Sequence, residues 1–144
     1  MVFMQRTILE VVTKPNSFVD ITSQIKKLVS EGKIKDGLCN IFLPATTAGL
    51  MMNENERMLI EDFKRFFSII DEKSHYNHPD NAFSHLRANM LSCEKTIPIV
   101  EKGLVLGNWQ SILLWEFDTR PRKREIIITF VGEEEEKEEE EDED

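Results

Sequence analysis

The run Ile126-Ile127-Ile128-Thr129-Phe130-Val131 is apolar at almost every position and mostly β-branched. It is too short for a membrane helix and too β-branched to favour a helix of ordinary length. Successive side chains of a strand point to opposite faces, so a strand apolar at both parities has to be covered on both sides. The segment from Arg124 to Val131 is therefore expected as a central strand, buried on both faces, and the rest of the chain must supply the cover.

Several other segments read as strands. Val2 to Thr13 is rich in β-formers and ends at the turn signal Lys14-Pro15-Asn16, with a short second strand from Phe18 to Ile21. Leu38 to Leu43 and Gly49 to Asn53 follow, separated by Pro44, and Thr96 to Val100 and Asn108 to Phe117 come later. Three helices fit between them. Asp20-Ile21-Thr22-Ser23 offers capping residues for a helix with Ile25, Leu28 and Val29 on one face and Gly32 to stop it. Asn55 is placed to cap a second, running to Phe67 with Leu59, Phe63, Phe66 and Phe67 at helical spacing. After a polar stretch from Asp71 to Asp80, Ala82, Phe83, Leu86 and Met90 mark one face of a third. Strands and helices do not alternate strictly and nothing repeats. The expected class is α+β, a single domain with a mixed or antiparallel sheet and helices packed on it.

The net charge of −9 on 144 residues is unevenly spread. Eleven acids lie from Glu133 to Asp144, with Lys137 among them, which leaves 16 acids against 17 basic residues in the body. The expected division is a folded domain over 1–132 and an acidic tail over 133–144, disordered because it has no apolar area to bury. A near-neutral body gives no footprint for nucleic acid, and no apolar run reaches membrane-spanning length. The amino-terminal residues lack the pattern of a secretory signal, so a cytoplasmic protein with two free thiols, Cys39 and Cys93, is expected; one disulfide is the alternative.

Four constellations could carry chemistry. His75, His78 and His85 fall within eleven residues, and Asn81, His85 and Asn89 form a polar stripe at helical spacing. Imidazoles near a carboxylate can hold a transition metal such as zinc, although this spacing is equally that of surface and cap residues. Asn53-Glu54 closes a strand and can present a carboxylate at a sheet edge, or simply a solvated loop. Gln110 and Glu116 share a face with Ile112 and Leu114, yet lie about 20 Å apart on an extended strand. The cluster Arg120-Pro121-Arg122-Lys123-Arg124 suits a phosphate or carboxylate, or a solvated turn.

In order, these pieces resemble the YjbQ-like family, often labelled secondary thiamine-phosphate synthase. The matching segments are Pro44-Ala45-Thr46-Thr47-Ala48-Gly49-Leu50, Asn53-Glu54 and Asp62-Phe63-Lys64-Arg65-Phe66. They continue as His78, Asn81-Ala82-Phe83-Ser84-His85-Leu86, Gly103-Leu104-Val105-Leu106-Gly107-Asn108-Trp109-Gln110, Glu116-Phe117-Asp118 and Pro121-Arg122-Lys123-Arg124. Ala45 stands where the family pattern has a histidine. An Asp-Pro pair expected after Asn-Glu is missing, and Asp118 to Pro121 carries an extra residue.

The resemblance implies an α+β fold, a compact homo-oligomer (a trimer), and a polar pocket for a phosphorylated small molecule. It places His78 and His85 at metal-ligand or acid–base positions, for a divalent ion such as zinc or magnesium. It makes Glu54 and Glu116 catalytic carboxylates beside His85, Arg122 and Arg124 an anion clamp, and Gln110 and Asn81 further substrate contacts. Without an imidazole at position 45, thiamine-phosphate-type condensation is expected to be weak. The alternatives are a non-catalytic metal- or ligand-binding homo-oligomer and an interaction module whose acidic tail recruits a basic partner.

Overall fold

The computed structural model describes residues 2–136. Along the chain come β1 (Val2–Thr13), β2 (Ser17–Asp20), α1 (Thr22–Glu31), β3 (Ile34–Phe42) and β4 (Ala48–Asn53). Then follow α2 (Arg57–Phe67), α3 (Ala82–Asn89), β5 (Glu94–Val100), β6 (Gly103–Leu104), β7 (Ser111–Glu116) and β8 (Arg122–Glu134). All pairings are antiparallel. One sheet runs β1-β8-β3-β5-β6 and the other β2-β7-β4. The fold is α+β, as expected.

The two sheets meet through a core of Cys39, Ile41, Ile97, Ile99, Ile126 and Ile128 on one side and Leu50, Ile112 and Leu114 on the other. Helix α1 adds Ile25 and Val29 to that core. A second, aromatic core lies on the opposite face of the small sheet, where Leu113, Trp115 and Met51 pack against Ile60 and Phe67 of α2 and Ala88 of α3. The doubly buried strand is therefore β7, whose residues from Ile112 to Glu116 are all buried. Strand β8 is central, pairing with β1 and β3, but buries one face only. Ile126, Ile128 and Phe130 point to the core, and Ile127 and Val131 lie half-buried on an open face.

That open face carries two apolar rows across the strands: Met4, Val131, Leu38 and Pro98, and then Ile8, Ile127 and Phe42. Between them runs a polar row of Arg6, Thr129, Asn40 and Thr96, in which Arg6 donates to Thr129 and Asn40 to Thr96. Strand β8 also continues past the expected boundary at 132. Glu133 pairs with Val2, Glu134 pairs with Ile34, and the Glu135 amide donates to the Lys33 carbonyl. The remainder of the acidic tail, 137–144, lies outside the described residues.

Two local expectations need correction. Helix α2 is capped by Glu56, whose carboxylate accepts from the Met58 and Leu59 amides at 3.0 and 2.8 Å. Asn55 instead donates to Asp20 at 2.9 Å. Helix α3 buries Ser84 and Arg87 beside Ala82, Phe83 and Ala88, while Leu86 and Met90 are exposed. A polar side chain can be buried when its hydrogen bonds are made inside. Ser84 donates to the Phe117 carbonyl and Arg87 to the Ile70 carbonyl, so the helix is turned from the face its apolar residues suggest.

Candidate functional site

The antiparallel pairing of β4 with β7 sets Ala48 opposite Glu116 and Asn53 opposite Ser111. The candidate residues consequently divide between two ends of the small sheet, separated by roughly 17–20 Å of extended strand. Glu54 and Gln110 share one end. The Glu54 amide donates to its neighbour Asn53, and Gln110 accepts from the Gly107 amide at 3.0 Å, closing the turn before β7. Glu116, Arg122, Arg124 and His85 gather towards the other end.

At that end two guanidiniums are matched to two carboxylates. Glu116 is fully buried, and Arg124 grips it in bidentate fashion, Nε to Oε1 at 2.7 Å and Nη2 to Oε2 at 2.6 Å. Thr13 donates to Oε1 at 2.7 Å, the Asp118 amide donates to Oε2, and Arg124 Nη2 also reaches Thr47 Oγ1. Arg122 Nε meets Asp118 Oδ2 at 2.6 Å. Burial raises the Asp118 carboxyl, but hydrogen bonds from Arg122 and the Thr119 amide and the charges of Arg122 and Arg120 outweigh it. Asp118 therefore titrates below the ordinary carboxylate value. The members come from β1, β7, β8 and the segment before β4, so the ladder ties the two sheets together. Every carboxylate oxygen of Glu116 has a partner, which leaves it no lone pair free for proton transfer without breaking the ladder.

His85 belongs to a different space. It is half-buried on α3 and lines a cavity of about 710 Å³ with Ala45, Thr46, Ala48, Asn89 and Cys93. Beside it the chain after α3 sits hard on β4: a Cβ on Gly49 would lie 2.7 Å from Leu91 Cβ. Leu86 and Leu91 are part of the apolar lining, and Ala45 lines the same cavity as His85. A smaller cavity of about 280 Å³ lies between His78 and His85, whose ring centroids are 5.3 Å apart at 81°. His78 Nε2 hydrogen-bonds Asn81 Oδ1 at 2.9 Å, so Asn81 orients an imidazole at the start of α3. Both cysteines are free thiols: Cys93 is exposed, and burial pushes the Cys39 thiol up to about 12, which makes it inert.

A model of the family described as "UPF0047 protein YjbQ-like" matches residues 7–133. The chain belongs to the YjbQ-like UPF0047 family. It is 36% identical over 124 residues to a UPF0047 protein of Methanocaldococcus jannaschii, covering 84% of this chain and 89% of that one. A Synechocystis UPF0047 protein is 33% identical over 133 residues, covering 88% and 90%. Among solved structures, a YbjQ-like protein of unknown function from Sulfolobus solfataricus superposes with a TM-score of 0.82 at 33% identity. That match covers 91% of this chain and all of the other.

The YjbQ-like resemblance brought with it a divalent metal, and the donors can be weighed against one. A zinc site takes three or four protein ligands, and magnesium takes oxygens. His78 and His85 supply one ligating nitrogen each, His78 through Nδ1 while its Nε2 is on Asn81, and no group of three His, Cys, Asp or Glu comes together among the described residues. Among the described residues the donor set of a single chain falls short of a metal centre. Thr13, Thr47, Asp118 and Cys93 are not singled out as site residues by sequence, whereas Asn89 belongs to the polar stripe of Asn81 and His85. Thr13 reaches Glu116 only because β1 pairs with β8 in a register that sets Thr13 opposite Arg122. Asp118 lies four residues before Arg122, and that spacing is its one signal in the sequence.

Proposed function

We propose that the chain is a small-molecule-binding member of the YjbQ-like family, with a phosphorylated ligand in the His85 cavity and thiamine-phosphate-type condensation at most weak. The observation that carries this reading is that Ala45 and His85 line one cavity of about 710 Å³. That volume lies within the roughly 300–1,000 Å³ of small-molecule sites. In the family pattern two imidazoles would stand on that wall; here a methyl replaces one. General acid–base groups contribute about 10²–10⁴-fold in rate. Glu116 is held by Arg124 and Thr13, so proton transfer in this cavity would fall to His85, with Glu94 the one carboxylate on its lining. A further cavity of about 230 Å³ also touches Ala45 and has Lys123 and Arg124 on its wall. A phosphate there would meet Arg124 Nη1, which neither Glu116 nor Thr47 engages, and Lys123, which it would have to draw from Glu10 at 3.2 Å, with Glu125 on the same wall opposing it.

The test is calorimetric binding of thiamine phosphate and of pyrophosphate, with turnover measured alongside. Binding that disappears in His85→Ala, with condensation that rises in Ala45→His, supports the reading. Binding unaffected by His85→Ala would put the ligand elsewhere.

The non-catalytic homo-oligomer is favoured by the open sheet face. Met4 and Ile8 are each 57% exposed there, in rows continuous with Leu38 and Phe42. A second copy, in a trimer, would give β8 the cover on its outer face that its composition asks for. Light scattering should return a multiple of 16.8 kDa, and Ile127→Lys should reduce it to one chain. A single-chain mass for the parent would remove this part.

A further inference from the structure

The open sheet face carries two ions within its apolar rows. Arg6 stands on β1 in the polar row with Thr129, Asn40 and Thr96, and Glu94 on β5 continues the row of Ile8, Ile127 and Phe42. Both are exposed, and neither enters an ion pair among the described residues. Their hydrogen bonds leave one atom of each unused. Asn40 donates to Glu94 Oε1 at 2.7 Å and Thr96 donates to the same oxygen, so Oε2 has no partner among the described residues. Arg6 spends Nε on Thr129 at 3.2 Å and Nη2 on the Met4 sulfur at 3.9 Å, which leaves Nη1 without a partner there.

The two ions cannot meet inside one chain. Strands β8 and β3 lie between β1 and β5, and three strand spacings are about 14 Å. Once apolar surface covers this face, each ion loses its water and needs a counterion, because an uncompensated charge in a desolvated contact is costly. A second copy of the chain offers what each lacks, a guanidinium for Glu94 and a carboxylate for Arg6, from opposite edges of the same face. Glu94 also belongs to the His85 cavity. It lines that cavity together with Ser92 and Cys93, so the open face and the cavity share an edge at the start of β5. The lining holds no lysine or arginine, and its one carboxylate is a poor setting for an anionic ligand.

We propose that the His85 cavity lies at the seam between two copies of the chain, and that Arg6 of the partner subunit completes it by pairing with Glu94 Oε2. The added guanidinium offsets the carboxylate on the rim and gives a phosphorylated ligand the positive charge that the lining of one chain lacks. The inference rests on the reading of this cavity as the ligand site and of the open face as a contact between copies.

The test is sedimentation velocity on dilution series of the full chain and its variants, with no ligand added. Arg6→Glu and Glu94→Arg each set like charges against one another and should raise the dissociation constant between copies on the order of a hundredfold. The double variant restores opposite charges and should recover most of that loss. Because the two positions lie about 14 Å apart in one chain, only a contact between copies can produce the recovery. Should a reversal fail to fold, Arg6→Gln, Glu94→Gln and their double form the corresponding cycle, in which the second neutralisation should cost less than the first. Cys93 reports on the seam, with the buried, inert Cys39 as internal control. Its alkylation by iodoacetamide should be several-fold slower in the assembled parent than in dissociated Arg6→Glu, whose substitution lies on a different strand. An assembled parent whose double variant recovers nothing, or whose Cys93 reacts alike in both proteins, overturns the seam and leaves the ligand reading of the cavity to its own binding test. A single-chain mass for the parent removes the contact between copies as well.

Discussion

The ionic ladder and the His85 cavity lie near the same end of the small sheet, and they use polar residues in opposite ways. In the ladder every partner is supplied: Glu116 and Asp118 are buried, and each carboxylate is held by a guanidinium and an amide or hydroxyl. In the cavity His85, Asn89 and Thr46 face open space and Ala45 offers nothing but a methyl. Charged residues that satisfy one another completely are architecture, and those that face a void with capacity to spare are available for chemistry. Sequence motifs bring both kinds together, because they record proximity without recording whether a hydrogen bond is already taken.

The largest expected effect breaks the ladder. Arg124→Met leaves a carboxylate with no countercharge in a fully buried position and should cost about 3–5 kcal/mol, read as a fall in thermal midpoint. Pairing it with Glu116→Met should recover much of the loss, because a buried ion pair is often replaced by apolar residues at little cost. If the single variant melts with the parent, the ladder is not structural.

A smaller effect comes from Asp118. Its folded value lies below the ordinary 3.8, so its contribution is complete above that value and disappears as the pH falls through the lower, folded value. Asp118→Asn should flatten the acid limb of a stability–pH curve and lower the neutral plateau by about 1 kcal/mol or less, since Arg122 is 39% exposed and water discounts the pair. An unchanged acid limb would show that Asp118 titrates alike in both states.

The smallest effect on stability belongs to the cavity. His85→Ala removes a half-buried side chain whose ring makes no hydrogen bond among the described residues. It should stay within about 0.5 kcal/mol of the parent, the range of substitutions away from packed or paired features. A large loss would move His85 into the architectural class.

Much of this was legible in the sequence, and the exceptions share a cause. Strand β1, α1 and the order of elements follow from local patterns that tertiary contacts reinforce. Double burial was assigned to Ile126–Val131 because that run is the most apolar, yet the small sheet, with a core on each side, puts β7 there. Which strand is covered twice depends on how two sheets stack, and one strand's composition does not contain that. Helix α3 was read by its apolar residues, whereas Ser84 and Arg87 are buried through carbonyls of Phe117 and Ile70 that lie far along the chain. The site divides the same way. His78, Asn81 and His85 were found because they are near in sequence, and they are near in space. The family resemblance groups Glu54 and Gln110 with Glu116; strand rise alone sets Gln110 about 20 Å from Glu116, and the register of β4 on β7 carries Glu54 to that same far end.

The division between a closed ladder and an open cavity is tested most directly by the three histidines. In protein labelled with ¹³C on the imidazole rings, titration with thiamine phosphate should move the His85 resonance saturably and His78, across the smaller cavity, in step with it. His75, an exposed residue of the loop before α3, should stay fixed. Three unmoved resonances, or a shift of His75 as large as that of His85, would contradict the assignment of the His85 cavity as the ligand site.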